Sequence, residues 1–262
     1  MQASRQAPRS DRRGPDPEGA RGSPEGKATT RYVTTMYILA ITLLACNEAA
    51  RAPTPPAPTP DAPAPPRLAS PAETAAARVV FLGDSITAGA GLGEGQAYPA
   101  RLERSWAEEG LGVAVVNAGV SGDTTAGGRR RLDWLLGQQP DIVVVALGAN
   151  DMLRGLPPEE IEANLRAILT GIKASGAEAI LLGMRANPTL GPDYVTAFEA
   201  IYPRLAVELS VPLLPFLLEG VAGDPRLNQS DGIHPTAEGQ AAIAKLVAPI
   251  VAPVLRAKIA TK

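Results

Sequence analysis

Five short apolar runs, each followed by a longer stretch of mixed polarity, constrain this chain more than any other feature. They are "ARVVFLG" (77–83), "VAVVNAG" (113–119), "DIVVVALG" (141–148), "AEAILLGM" (177–184) and "VPLLPFLL" (211–218). All are rich in branched side chains and bounded by Gly, Asp or Pro, which is the pattern of β-strands. The second, third and fourth are apolar without interruption, which predicts strands buried on both faces. Ile161, Leu165, Ile168 and Ile172 recur at helical spacing and predict a helix over 159–174. Residues 97–109, 128–137, 195–209 and 236–256 read as helices in the same way. Strand alternating with helix five times predicts an α/β fold, a parallel sheet covered on both sides. Ligands of such sheets bind beyond the C-terminal strand ends, so chemistry is sought just after each strand.

The N-terminal part has a different character. Residues 1–30 are rich in Arg, Pro, Gly, Ser and Glu with almost no large apolar side chains, which predicts a disordered leader. Segment 31–46 holds "YILAITLLAC" (37–46), too short for a membrane span, which needs roughly 20 apolar residues. Preceded by Arg21, Lys27 and Arg31, it reads as the apolar core of an export signal. "LLAC" resembles the end of a bacterial lipoprotein signal, in which the cysteine, here Cys46, is lipidated. Export to the periplasm with a lipid anchor at Cys46 is therefore expected; the alternative is an ordinary apolar stretch with a buried free thiol. Met36 offers a second start, which would remove the upstream positive charges. Residues 47–75 contain the Pro/Ala tract "AARAPTPPAPTPDAPAPPRLASPA" (49–72), expected to be an extended spacer. Residues 76–262 are expected to form one domain. A single cysteine excludes an internal disulfide. With 25 basic and 27 acidic residues and a formal net charge of −2, nothing suggests a nucleic-acid partner. The basic run "GRRR" (128–131) reads as a solvated helix face.

Chemistry-bearing residues follow four of the five strands. Ser85, in "GDSITAG" (83–89), stands where the first strand gives way to a turn, a place from which its hydroxyl can face outward. Residue 87 is Thr, so this is not a G-x-S-x-G elbow, and Ser85 alone could equally be a helix cap. Gly122, in "NAGVSGDTTAGG" (117–128), can expose its N–H to a bound oxyanion, and Asn150, in "LGANDMLRG" (147–155), can offer its side-chain amide to the same oxygen. A turn glycine and an Asx-turn asparagine are the plainer alternatives. Asp231 and His234, in "SDGIHPTAEG" (230–239), precede the last helix, and His234 is the only histidine. A carboxylate three residues away can hold Nδ1–H while Nε2 faces outward, or can simply cap the loop. "GAGLGEG" (89–95) lacks the spacing of a phosphate loop and reads as a flexible rim. Together these residues supply a nucleophile, an oriented base and oxyanion donors, the requirements of acyl transfer.

The four blocks "GDSITAG", "NAGVSGDTTAGG", "LGANDMLRG" and "DGIHP" resemble those of the SGNH (GDSL) hydrolases, nearest to the branch of bacterial periplasmic thioesterase/lysophospholipases and arylesterases. "GMRANPTLGPDYVTAFEAIYPRLA" (183–206) is similar to that branch as well. The resemblance covers roughly residues 78 to 255. It implies a flavodoxin-like three-layer α/β/α sandwich with a five-stranded parallel sheet. It implies Ser85 as nucleophile, Asp231 as orienting acid and His234 as base, with Ser85 N–H, Gly122 N–H and Asn150 forming the oxyanion hole. Two departures stand out. "NPTLG" has Leu190 where the branch has a tyrosine, which predicts a differently shaped pocket, and the leader and spacer are additions to the simple secreted form.

The expected activity is hydrolysis of carboxylic ester or thioester bonds through an acyl-enzyme, of arylesterase, lysophospholipase or acyl thioesterase type. No cofactor and no metal are expected, and the partner is a small acyl substrate met by a monomer. Carbohydrate O-acetyl esterase is the competing enzyme reading. An inactive surface-anchored binding domain is the alternative of another class.

Overall fold

The computed structural model describes residues 75–262. The leader over 1–30, the signal segment over 31–46 with Cys46, and all but the last residue of the linker over 47–75 lie outside the described residues. From its start, β1 (Ala77–Gly83) runs into a short α1 (Ser85–Ala88), then α2 (Tyr98–Glu108) and β2 (Val113–Gly119). Next come α3 (Thr125–Arg130), α4 (Leu132–Leu136), β3 (Ile142–Ala146), α5 (Ala149–Leu153) and α6 (Pro158–Ala174). β4 (Glu178–Leu182), a 3-10 turn at Pro188–Leu190, α7 (Pro192–Glu199), α8 (Ile201–Leu209), β5 (Leu213–Leu214) and α9 (Ala237–Ala260) complete the chain.

The strands form one parallel sheet in the order β2-β1-β3-β4-β5. Val79 to Leu82, Ile142 to Leu147 and Ala179 to Leu182 are buried residue after residue, which requires cover on both faces of β1, β3 and β4. α2 and α9 pack together as one layer, and α6 with its neighbours α3, α4, α7 and α8 forms the other. α6 turns Ile161, Leu165, Ile168, Leu169 and Ile172 inward, each burial being worth about 1.5–3 kcal/mol. The order reverses at β1, whose neighbours are β2 on one side and β3 on the other. The strands stay paired to Gly83, and it is the connections leaving β1 and β3 that run to opposite layers, which opens a crevice for a ligand at the C-terminal ends.

Five elements and one basic run differ from what the sequence predicts. β2 was expected to be buried on both faces, yet it is an edge strand, half-buried along most of its length, and β1 takes the interior place. β5 is reduced from 211–218 to two residues because Pro212 and Pro215 bracket it and neither has an N–H for the ladder. The helix over 195–209 is two helices: Pro203 cannot donate to the carbonyl of Glu199, and the chain turns at Ala200. The helix over 128–137 is also two, broken at Arg131 (φ −101°, ψ 3°). "GRRR" is correspondingly only partly a solvated face. Arg129 and Arg130 are exposed, whereas Arg131 turns inward. α9 runs on past its predicted end at 256 to Ala260; up to Leu255 it keeps Ile243, Val247, Val251 and Leu255 as a buried stripe while Pro249 and Pro253 face solvent.

Candidate active site

Ser85 opens α1 immediately after β1. Asp84 caps that helix, its Oδ1 accepting the N–H of Ile86 at 3.0 Å. The far side of the turn is held by Gln240 of α9, whose Nε2 donates to the carbonyl of Ile86 at 2.8 Å while Oε1 accepts the N–H of Tyr98 at 2.8 Å. Ser85 is 9% exposed, so its hydroxyl meets solvent only through the mouth of the site.

The loop before α9 brings the imidazole to it. His234 Nε2 lies 2.9 Å from Ser85 Oγ, and His234 Nδ1 lies 2.7 Å from Asp231 Oδ2. Asp231 Oδ1 accepts the N–H groups of Ile233 (2.9 Å) and His234 (3.0 Å), so one carboxylate fixes both the backbone and the ring. Those donors, with the His234 ring first, hold the Asp231 carboxyl down at about 2. The loop is tied in turn to the Ser85 side of the crevice. Gln229 N–H donates to the carbonyl of His234 at 2.7 Å, and its Nε2 donates to the carbonyl of Ala90 at 2.8 Å. The neutral ring thus presents Nε2 as an acceptor to the serine O–H and Nδ1–H as a donor to Asp231.

Two further segments reach the same crevice. The end of β2 lies directly against α1: a Cβ on Gly119 would fall 2.2 Å from the nitrogen of Ala88 and 2.8 Å from the carbonyl oxygen of Asp84. Only glycine permits that approach. Three residues on, Gly122 adopts φ +78°, and its carbonyl accepts Arg154 Nη2 at 2.8 Å. Asn150, in the first turn of α5, donates Nδ2–H to Asp84 Oδ2 at 3.3 Å.

Four supporting residues have no role assigned from sequence: Asp84 and Asp151 stand inside the quoted motifs, Gln229 and Gln240 just outside them. Asp84 is 1% exposed, and burial pushes its carboxyl up to about 6 against the opposing pull of the Ile86 N–H and His234. Asp151, also 1% exposed, accepts the N–H of Thr125 (2.9 Å) and its hydroxyl (2.6 Å), tying α5 to the start of α3. The signal for both was an acid inside a quoted block. Gln229 and Gln240 carried none, since a glutamine in a loop or helix reads as surface.

Beside the triad lies a cavity of about 490 Å³ lined by Ile86, Met152, Leu153, Met184, Phe216 and Ile233. Its walls are mainly apolar, with the Arg185 guanidinium 4.9 Å above the Phe216 ring. "NPTLG" reaches it through Asn187 and Pro188, and Leu190 is not among its lining residues. Among the described residues no group of three or more His, Cys, Asp and Glu side chains could hold a metal ion, and no helix is long and apolar enough to cross a membrane.

Known proteins share this arrangement of chain. The profile of the GDSL-like lipase/acylhydrolase family matches residues 81–242. Esterase TesA of Pseudomonas aeruginosa is 41% identical over 184 residues, covering 70% of this chain and 92% of that protein. Thioesterase 1/protease 1/lysophospholipase L1 of Escherichia coli K12 is 44% identical over 182 residues, 69% of this chain and 86% of that one. The crystal structure of the psychrotrophic esterase EstA from Pseudoalteromonas sp., inhibited by monoethylphosphonate, superposes with a TM-score of 0.65 at 30% identity. It covers 68% of this chain and 98% of the other.

Proposed function

The chain belongs to the GDSL-like lipase/acylhydrolase family and hydrolyses ester or thioester bonds, and from that premise we propose that Ser85, His234 and Asp231 carry the reaction through an acyl-enzyme. The observation that supports this most is the unbroken relay from Ser85 Oγ through both nitrogens of His234 to Asp231. As Ser85 Oγ attacks the carbonyl carbon, His234 Nε2 takes its proton and the C=O π pair moves onto oxygen. That oxyanion is met by the N–H groups of Ser85 and Gly122 and by the second N–H of the Asn150 amide, the first being given to Asp84. The C–O or C–S bond then breaks, and His234 returns the proton to the leaving alcohol or thiol. Water enters, loses a proton to the same nitrogen and attacks the acyl-serine; the C–Oγ bond then breaks, His234 returns that proton to Ser85 Oγ, and the acid is released. Asp231 keeps its charge throughout and stabilises the imidazolium. The groups named all lie on one polypeptide, so the proposed chemistry calls for no second copy of the chain.

The apolar cavity favours acyl chains over small acetyl groups on sugars, because burying methylenes there gains about 0.8 kcal/mol each. A panel of p-nitrophenyl esters, an acyl-CoA, a lysophospholipid and acetylated xylan tests this. Aryl ester, thioester and lysolipid should all be turned over faster than the acetylated xylan. A marked preference for the acetylated sugar would reverse the assignment.

Location is the second part of the proposal. Export to the periplasm, with lipid attached at Cys46, is supported by the charged and apolar pattern ahead of "LLAC" and by the spacer after it. The full chain expressed in a bacterial host with labelled palmitate should take up the label and partition with membranes. Cys46→Ala should abolish labelling, and an unlabelled wild type in the cytosol would reject the anchor.

A further inference from the structure

The helix break at Arg131 has a chemical counterpart. The side chain is 21% exposed and spends its whole fork on the crevice. Nε donates to Asp123 Oδ2 at 2.8 Å, Nη1 to the carbonyl of Ala118 at 2.6 Å and Nη2 to the carbonyl of Gly83 at 3.0 Å. Those acceptors belong to three separate pieces. Gly83 ends β1 two residues before Ser85, Ala118 is the penultimate residue of β2, and Asp123 directly follows Gly122. The loop between them is closed on the same atoms. Val120 N–H donates to the Gly83 carbonyl at 3.0 Å, and Asp123 N–H donates to the Val120 carbonyl at 3.0 Å. Gly122 therefore stands in a turn whose two ends are both held, directly or through one bond, by a single guanidinium.

We infer that Arg131 is a positioning residue: it sets the Gly122 N–H against the Ser85 turn, so that the donors of the oxyanion hole are in register before substrate arrives. The inference rests on the oxyanion role proposed for Gly122. A planar fork with five fixed donors can serve three acceptors in one plane, whereas an ammonium on a flexible stem cannot, so lysine is not a conservative replacement here. A misplacement of about 1 Å at a reacting centre costs roughly 100-fold in rate, far more than the loss of one surface contact. Nothing in this role requires Arg131 to touch substrate.

The test compares the full-length wild type with Arg131→Lys on a p-nitrophenyl ester and on the matching thionoester, in which C=S replaces C=O. Rates are normalised to active sites counted with a fluorophosphonate. Hydrogen-bond donors placed for a small oxyanion serve the larger, weaker-accepting sulfur poorly, so the ratio of ester to thionoester turnover reports the hole itself. Arg131→Lys should lower kcat on the ester about 10- to 100-fold, leave KM within about twofold and shrink that ratio. Equal losses on both substrates, or an unchanged kcat, would overturn the inference. Asp123→Asn loosens the same fork from the loop side, and it carries the comparison with the same expected shrinkage if Arg131→Lys is not recovered folded. A wild type that the fluorophosphonate does not label at all would overturn both this inference and the reading of Ser85.

Discussion

His234→Ala should fold normally and hydrolyse p-nitrophenyl esters roughly 10⁴- to 10⁶-fold more slowly than wild type. The size follows from the relay. Without an acceptor 2.9 Å from Ser85 Oγ, the hydroxyl must attack with its proton still attached. No second histidine exists in the chain to take over. Ser85→Ala should lose as much and, in addition, all covalent labelling by a fluorophosphonate. The double variant should be little slower than either single one, because groups that act as a unit do not contribute separately. Asp231→Asn should cost about 10⁴-fold, since an amide can favour the ring tautomer that carries its proton on Nε2. Asp231 brings no titration of its own to the working range. Its carboxyl is depressed to about 2, so it is ionised at every pH from 5 to 9. The stability it contributes is present above its unfolded value near 3.9 and is lost as pH falls towards 2. Circular dichroism before and after each substitution checks the fold. A folded His234→Ala protein retaining near wild-type turnover would sink the triad.

Much of this architecture was legible in the chain, for a simple reason. Strand and helix differ in the period of their apolar residues, and α/β order follows from the alternation of those periods. That is why β1, β3 and β4 were located to within a residue or two and why the motif residues were sought at the right end of the sheet. Lateral order was not legible. "VAVVNAG" at the edge and "ARVVFLG" in the interior have the same local character, and only the packing of the whole chain decides which one is flanked. Neither helix break was read from the sequence: a proline stands near the first, at Pro203, but Pro249 and Pro253 sit inside an unbroken α9, and the side-chain partners of Arg131 at the second are distant in sequence. In the site, the bond between Asp231 and His234 spans three residues and could be argued from the loop alone. The contact between His234 and Ser85 spans 149 residues and needed the sheet to be built first. Gln240, bonded to Tyr98 and Ile86, and the bond from Asn150 to Asp84 join residues that no local pattern pairs.

Asn150 presents the sharpest remaining choice between a turn residue and a participant, and Asn150→Ala decides it. The amide has two N–H bonds. One goes to Asp84 Oδ2 at 3.3 Å, which holds the amide by its nitrogen; the other is the donor proposed for the oxyanion. If that second N–H meets the oxyanion, its bond strengthens as negative charge develops and does little for bound substrate beforehand. The loss should then fall on kcat, by about 10²- to 10³-fold or roughly 3–4 kcal/mol, with KM nearly unchanged. A second effect must be kept apart from the first. Removing the amide also takes a donor from Asp84, whose buried carboxyl already titrates near 6, and that costs folding stability on the order of 1–3 kcal/mol. A thermal melt reads this cost, and kcat per fluorophosphonate-titrated site reads the catalytic one. Asn150→Asp separates them further. It keeps the side chain's shape while replacing the donor with a second acid, so it should be at least as slow as Asn150→Ala at pH 8. If both variants are folded and kcat stays within about threefold of wild type, Asn150 is only a turn residue and the hole has two donors rather than three.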